Sequence, residues 1–268
     1  MKKVVNLYKP LGLSPLGLID RYRLKNEWVR GKKMSYPGRL DPMAEGVLLV
    51  LVGEENKKIN DYMKLDKEYE AEILLGFETD SLDLLGVVEG EGVNGGGGVG
   101  GGSLEVGGGS LEVEDRELKK GLKEFKGKYD QLIPVYSSYV VKGKPLWTYA
   151  RAGELEGIEI PRTKVEIKDV RVDEVYSISS GRLLKEITRK VGLVEGDFRQ
   201  KEILEKWSKV LNGRDDKFRI VKCRISCSSG TYVRAIARDF GKGYGGGVLF
   251  SLKRVRVGRY NVRDSERV

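Results

Sequence analysis

Residues 47–52 read Val-Leu-Leu-Val-Leu-Val, apolar at every position. A short continuous apolar run bounded by turn residues is the pattern of a buried strand. The turn residues stand directly before it. Residues 36–46 read Tyr-Pro-Gly-Arg-Leu-Asp-Pro-Met-Ala-Glu-Gly, with Gly38 ahead of Asp41, Pro42 after it and Gly46 closing the loop. Pro42 turns Asp41 away from the α region toward an extended or turn conformation. A carboxylate fixed at the mouth of a buried strand is a common way to present a catalytic acid, base or nucleophile. An Asp-Pro turn with no chemistry accounts for this stretch equally well, so the rest of the chain has to decide.

The 268 residues contain no histidine. That excludes a Ser-His-Asp triad, a histidine-ligated zinc and a histidine general base. Carboxylate, Tyr, Lys, Arg, Ser or Cys must carry whatever chemistry occurs. The two cysteines, Cys223 and Cys227, sit at i and i+4 of one predicted strand, on the same side but too far apart for an easy disulfide. Two thiols without histidine make no zinc site, so buried, reduced cysteines in a reducing cytosol are expected. Lys and Arg outnumber Asp and Glu by 49 to 40, a net charge of +9. Such a surplus suits a polyanionic partner, with nucleic acid as the first expectation; solubility alone also accounts for it. No stretch approaches the roughly eighteen apolar residues of a membrane span, and the apolar part of the N-terminus is too short for a signal peptide. A cytoplasmic chain with no membrane partner is the expectation.

Around the central loop, residues 4–8 read as a strand. Ser14 and Pro15 suit the N-cap and first position of a helix running through Leu16, Ile19, Tyr22 and Arg23. Residues 54–65 have helical character. Residues 67–75 alternate, with Tyr69, Ala71, Ile73 and Leu75 on one face of a half-buried strand. Asp80 and Asp83 follow in a polar loop; Asx turns explain them better than a metal site, because no further ligands accompany them. Residues 89–113 are glycine-rich, with residues 100–106 repeated directly as 107–113; a low-complexity loop with no function is expected. A helix is predicted over 115–125.

Residues 128–153 interleave lysines with Tyr129, Tyr136, Tyr139, Trp147 and Tyr149. That pattern suits a surface gripping folded RNA by phosphate contacts and stacking, or an ordinary hairpin packed on the core. Strand character covers 163–175. Residues 177–216 read as a helical insert. Asp197 and Gln200 form a capping box there, and Ile203, Leu204, Trp207, Val210 and Leu211 an apolar stripe that docks on the body. Docking would leave insert cations such as Lys185, Arg189 and Lys190 free to face a polyanion. Residues 218–227 form a strand and 232–240 a helix, which puts Arg234 in a first helical turn. A cation there opposes the helix dipole, so Arg234 needs an anion to hold. Residues 248–252 and 255–260 complete the strands.

Four blocks in this order resemble the TruB family of tRNA pseudouridine synthases. The first is Gly38-Arg-Leu-Asp-Pro-Met-Ala-Glu-Gly46. The second joins Lys67-Glu-Tyr69 to Leu75-Gly76 and to residues 79–86, Thr-Asp-Ser-Leu-Asp-Leu-Leu-Gly. The third is Gln131 with Pro134-Val-Tyr-Ser137 and, downstream, Gly143, Tyr149-Ala-Arg151 and Gly153. The fourth is Cys227-Ser-Ser-Gly-Thr-Tyr-Val-Arg234, continuing through Asp239, Gly241 and Leu252 to Gly258. One block alone is a weak signal; four at compatible spacing are strong.

The resemblance implies an α+β fold, a pseudouridine-synthase-like mixed, mainly antiparallel sheet flanked by helices with a central active-site cleft, spanning 1–268 as a single catalytic domain. It implies isomerisation of the T-loop uridine of tRNA, position 55, to pseudouridine, by a monomer that uses no metal or cofactor. The base must be flipped out to be reached. Asp41, Tyr69 and Arg234 match the catalytic aspartate, the aromatic that stacks on uracil and the arginine that pairs with the aspartate. Tyr36, Arg39, Lys9, Lys57, Tyr232 and Leu252 match substrate-binding positions, with the T-stem loop of tRNA as partner. Tyr36 stands where the family commonly has histidine, and no room remains after Gly258 for a PUA-type C-terminal domain. A catalytically silent RNA-binding or tRNA-folding protein on the same scaffold, or a synthase for another RNA site, is the alternative.

Overall fold

The computed structural model describes residues 3–89 and 113–268. The expected glycine-rich loop therefore lies outside the described residues, apart from Glu89 and Val113. Among the described residues the main sheet has seven long strands: β1 (Val4–Lys9), β2 (Ala44–Val52), β3 (Lys67–Leu75), β4 (Gly127–Leu132), β5 (Arg162–Ser179), β6 (Lys217–Cys227) and β7 (Gly247–Val257). Their order is β1-β2-β7-β3-β6-β5-β4, with the short strands Met34–Ser35 and Tyr260–Asn261 added to β2 and β7. All neighbours are antiparallel except β7 and β2, which run parallel from Leu252↔Ala44 to Arg254↔Gly46. This is the mixed, mainly antiparallel α+β sheet that the resemblance implied.

Among the described residues seven helices flank it: α1 (Pro15–Lys25), α2 (Ile59–Met63), α3 (Asp115–Lys123), α4 (Leu146–Ala152), α5 (Ser180–Gly192), α6 (Gln200–Leu211) and α7 (Val233–Gly241). The alternation of β3 decides which face they cover. Tyr69, Ala71, Ile73 and Leu75 pack with Leu118 and Leu122 of α3 and Ile236 and Phe240 of α7. On the opposite face Glu68 pairs with Arg256, and Glu72 accepts from Ser251 and Tyr176. A second core joins Leu74, Ile220 and Val248 to Leu183 and Ile187 of α5 and Ile203 and Trp207 of α6. A third seats Leu18, Ile19 and Tyr22 of α1 on β1 and β2. The run at 47–52 is buried throughout, and its strand starts earlier, at Ala44.

Several boundaries differ from expectation. Residues 54–65 begin as a 3-10 turn, Gly53–Lys58, before α2. The helical part of the insert starts only at Ser180, because β5 stays paired with β6 through Ser179. Its capping box does not form. Arg199, in the left-handed region at φ 63°, precedes α6, and the Gln200 side chain folds back onto Phe198 N–H and the Val194 and Gly196 carbonyls. The apolar stripe does dock, as read from its spacing. The two predicted C-terminal strands fuse into β7, whose register shifts between Leu249 and Ser251 and between Arg254 and Arg256. Within 128–153 the chain forms β4, a small ladder of Val140–Val141 with Lys144–Pro145, and α4.

Candidate active site

Four segments distant in sequence meet beside the central strands. The turn after β6 delivers the chain to α7, with Tyr232 at the N-cap and Arg234 in the first turn. The Arg234 side chain is 5% exposed, and its Nε stands 2.9 Å from Asp41 Oδ2. Nη1 donates to the Ser81 carbonyl at 2.6 Å and Nη2 to the Tyr136 carbonyl at 3.1 Å. Asp83 Oδ2 lies 3.9 Å from Nε. Two carboxylates and two carbonyls thus answer a cation buried at the unfavourable end of a helix. Only a planar fork reaches three separate segments at once.

The carboxylates differ in setting. The Asp41 side chain is 39% exposed and opens on the cleft. Asp83 is buried, accepting from Ser81 Oγ at 2.6 Å and from Leu85 N–H at 3.0 Å. Burial pushes its carboxyl up to about 6, against the pull of Arg234. The Leu85 contact closes the expected Asx turn. Asp80 turns elsewhere, to Val87 N–H and Arg199. Among the described residues no group of three or more His, Cys, Asp or Glu side chains is placed to hold a metal ion.

The Asp41 loop is suspended from β7. Arg254, buried at 3% exposure, donates Nε–H to Val47 O at 2.8 Å, Nη1–H to Arg39 O at 3.0 Å and Nη2–H to Gly38 O at 3.3 Å. Gly46 has φ 108°, and a Cβ there would meet the Arg254 carbonyl oxygen at 2.2 Å. Glycine is therefore required where β2 runs beside β7.

A cleft of about 380 Å³ opens over Asp41 and Arg234, walled by residues 38–41, Lys67, Tyr69, Tyr136, Tyr232, Leu252 and Arg254. The Tyr69 hydroxyl is pushed up to about 12, chiefly by burial. It stays a neutral donor at ordinary pH, with a ring face for stacking. A second cavity of about 300 Å³ shares Arg39, Asp41 and Arg234 and extends to Trp147, Arg151, Phe198 and Arg199. Arg199 pairs with Asp80 at 2.8 Å and lies 5.0 Å over the Tyr136 ring. Arg151 of α4 pairs with Asp197 at 2.5 Å. The loop before α6 is thereby stitched to both α4 and the Asp80 loop.

The structure brings together Asp41, Tyr69, Arg234, Arg39, Tyr232 and Leu252. Three expected substrate contacts fall elsewhere. Lys9 is 0% exposed; its ammonium donates to the carbonyls of Pro10 and Leu13, and burial pulls its pKa down to about 7. It braces the turn before α1 and cannot reach a phosphate. Lys57 pairs with Glu54 on the surface and lines neither cavity. Tyr36 packs half-buried on the β1–β2 core, also outside both cavities. The insert needs the same correction at Lys190, which is buried, donates to Phe250 O at 2.8 Å and lies 3.7 Å over that ring. Lys67, Arg254, Arg151 and Arg199 were not expected at the site. For Lys67 the signal was present: it shares the inward face of β3 with Tyr69.

The TruB family pseudouridylate synthase N-terminal domain matches residues 26–94 and 105–192. The chain is 33% identical over 266 residues to the tRNA pseudouridine synthase B of Trichormus variabilis, covering 99% of this chain and 70% of that relative. It is 32% identical over 264 residues to the protein of the same name from Caldanaerobacter subterraneus, covering 98% and 71%. Among solved structures it resembles a chain of a Cbf5-Nop10-Gar1 complex, with a TM-score of 0.57 at 16% identity. A chain of an H/ACA RNP bound to a substrate RNA containing 2'-deoxyuridine gives 0.55 at 16%. These matches cover 99% and 98% of this chain but only 52% and 50% of the solved chains, and at that identity they speak for the fold alone.

Proposed function

Because this chain belongs to the TruB family of pseudouridylate synthases, we propose that it isomerises the T-loop uridine at position 55 of tRNA to pseudouridine in the cleft over Asp41. The observation that carries this reading is the 2.9 Å contact between Arg234 and a partly exposed Asp41, in a cleft walled by Tyr69.

Isomerisation breaks the bond from ribose C1′ to uracil N1 and makes one from C1′ to C5. Asp41 attacks C1′ or removes the neighbouring 2′ proton; each role needs an ionised carboxylate. Arg234 favours that form by charge and hydrogen bonding, and its own rigid anchoring to Ser81 and Tyr136 fixes where the carboxylate points. Tyr69 stacks on the base, and Leu252 and Tyr232 close the walls around it. A uridine inside an RNA stack cannot reach a carboxylate in this cleft, so the base must flip out. Arg39, exposed at the rim of both cavities, meets the phosphate backbone. All these groups come from one chain, so a monomer suffices.

Incubating the protein with unmodified tRNA transcript and mapping pseudouridine by position tests the proposal. Product at the T-loop uridine supports it. Product only at another site corrects the target, and RNA binding without product reduces the protein to a binder.

A further inference from the structure

Lys67 is a cleft-wall cation that the chemistry above does not use. It lies two residues before Tyr69 on β3, so both side chains leave the strand on the cleft face. The residue is 7% exposed. Among the described residues its ammonium makes one hydrogen bond, to the Met63 carbonyl at 2.8 Å, and no ion pair. An ammonium carries three donors, so two have no protein partner among these residues. Burial, then the Arg254 charge, draws its pKa down to about 8; the cation survives at neutral pH, held against its preference for water. Lys9 and Lys190 are comparably buried but line neither cavity.

Position fits a purpose. Asp41 and Arg234 mark the ribose end of the cleft. Lys67 lies farther out, one strand repeat of about 6.5 Å beyond Tyr69, past the ring proposed to stack on the base. When the C1′–N1 bond breaks, its electron pair leaves with the base. Uracil becomes an anion whose charge spreads over N1, O2 and O4. When C5 re-attacks C1′, that pair forms the new carbon–carbon bond; C5 then loses its proton to a base and N1 gains one from water. Nothing is oxidised or reduced, and the charge exists only between the two bond events.

We propose that Lys67 is a further catalytic residue of this isomerisation, whose ammonium hydrogen-bonds the carbonyl edge of the flipped uracil and stabilises the anion formed as the base departs. This rests on the function proposed above. A donor fixed where charge develops, and itself shielded from water at 7% exposure, acts mainly on the transition state and little on binding.

The test compares Lys67→Met and Lys67→Arg with the unaltered protein in single-turnover reactions on tRNA transcript, alongside tRNA affinity across a salt series. Lys67→Met should retain affinity within about threefold and lose rate by about 10²-fold, as for removal of one such donor elsewhere. Lys67→Arg should recover part of the rate. A transcript carrying 5-fluorouridine at the target separates this role from a structural one, because fluorine already stabilises the departing anion; the Lys67→Met defect in consuming that base should shrink. An undiminished defect on the fluorinated substrate, an unchanged rate, or lost affinity and salt slope with rate intact at saturation would each overturn the proposal. Should Lys67→Met fail to melt cooperatively, Lys67→Gln replaces it in the same comparison. An unaltered protein that makes no pseudouridine in tRNA would overturn this role and the proposed function together.

Discussion

Arg254 and Val47 belong to parallel neighbouring strands, and a side chain ties them together: Arg254 Nε–H donates to the Val47 carbonyl at 2.8 Å. The same guanidinium reaches back to the carbonyls of Arg39 and Gly38. The loop that carries Asp41 is therefore fixed at three points by one buried cation.

Arg254→Met should destabilise the protein and misplace Asp41. Each buried carbonyl left without a donor costs about 1–3 kcal/mol, so a loss of at least about 2 kcal/mol is expected in chemical denaturation. Single-turnover rate should fall further than stability explains. Full activity at a temperature where the variant is folded would show that the loop holds its shape unaided.

Gly46→Ala tests the same suspension from the other side. The added Cβ would stand 2.2 Å from the Arg254 carbonyl oxygen at φ 108°, so β2 and β7 must part. Backbone strain of this kind costs about 1–3 kcal/mol, and a lowered melting temperature should register it. An unchanged melting temperature would mean that the strands separate freely there.

Asp83 makes stability depend on pH in a defined direction. Its carboxyl is raised from an ordinary 3.8 to about 6 in the folded protein. Between those values the folded state holds a proton that the unfolded state has lost. The contribution of this group to stability therefore falls as pH rises through the window, and its cost is complete above about 6. Asp83→Asn should gain stability relative to the unaltered protein between pH 4.5 and 7.0. A constant difference across that range would show that the carboxyl titrates normally.

Arg234→Lys should be severely impaired in pseudouridine formation, because a point charge cannot hold Asp41, Ser81 and Tyr136 together. Kinetics at saturating tRNA would check this, and near-normal kcat would mean that charge alone suffices. Tyr69→Phe keeps a stacking ring and should lose less than Tyr69→Ala; equal losses would rule out stacking as the ring's contribution.

The pairing of Arg234 with an anion was legible from one local fact, a cation in the first turn of a helix. The inward face of β3 was legible from its alternation, with Lys67 on it. The suspension of the loop was not. Period-two alternation in β7 would put Leu252, Arg254 and Arg256 on one face, but the register shift after Arg254 sends Arg256 outward to Glu68. Lys9 and Lys190 misled for a related reason. A lysine in a turn or on an amphipathic helix is normally solvated, and only the packing of distant segments over it reveals a carbonyl to bind.

The account turns on Asp41, and Asp41→Asn examines it most directly. Pseudouridine should be mapped in tRNA transcript after incubation with the unaltered protein and with the variant. The expected result is pseudouridine at the T-loop uridine with the unaltered protein and none above the no-enzyme control with Asp41→Asn. The variant should still bind tRNA within about tenfold, since the amide keeps size and hydrogen bonding while losing charge and nucleophilicity. Pseudouridine formed by purified Asp41→Asn would contradict the account.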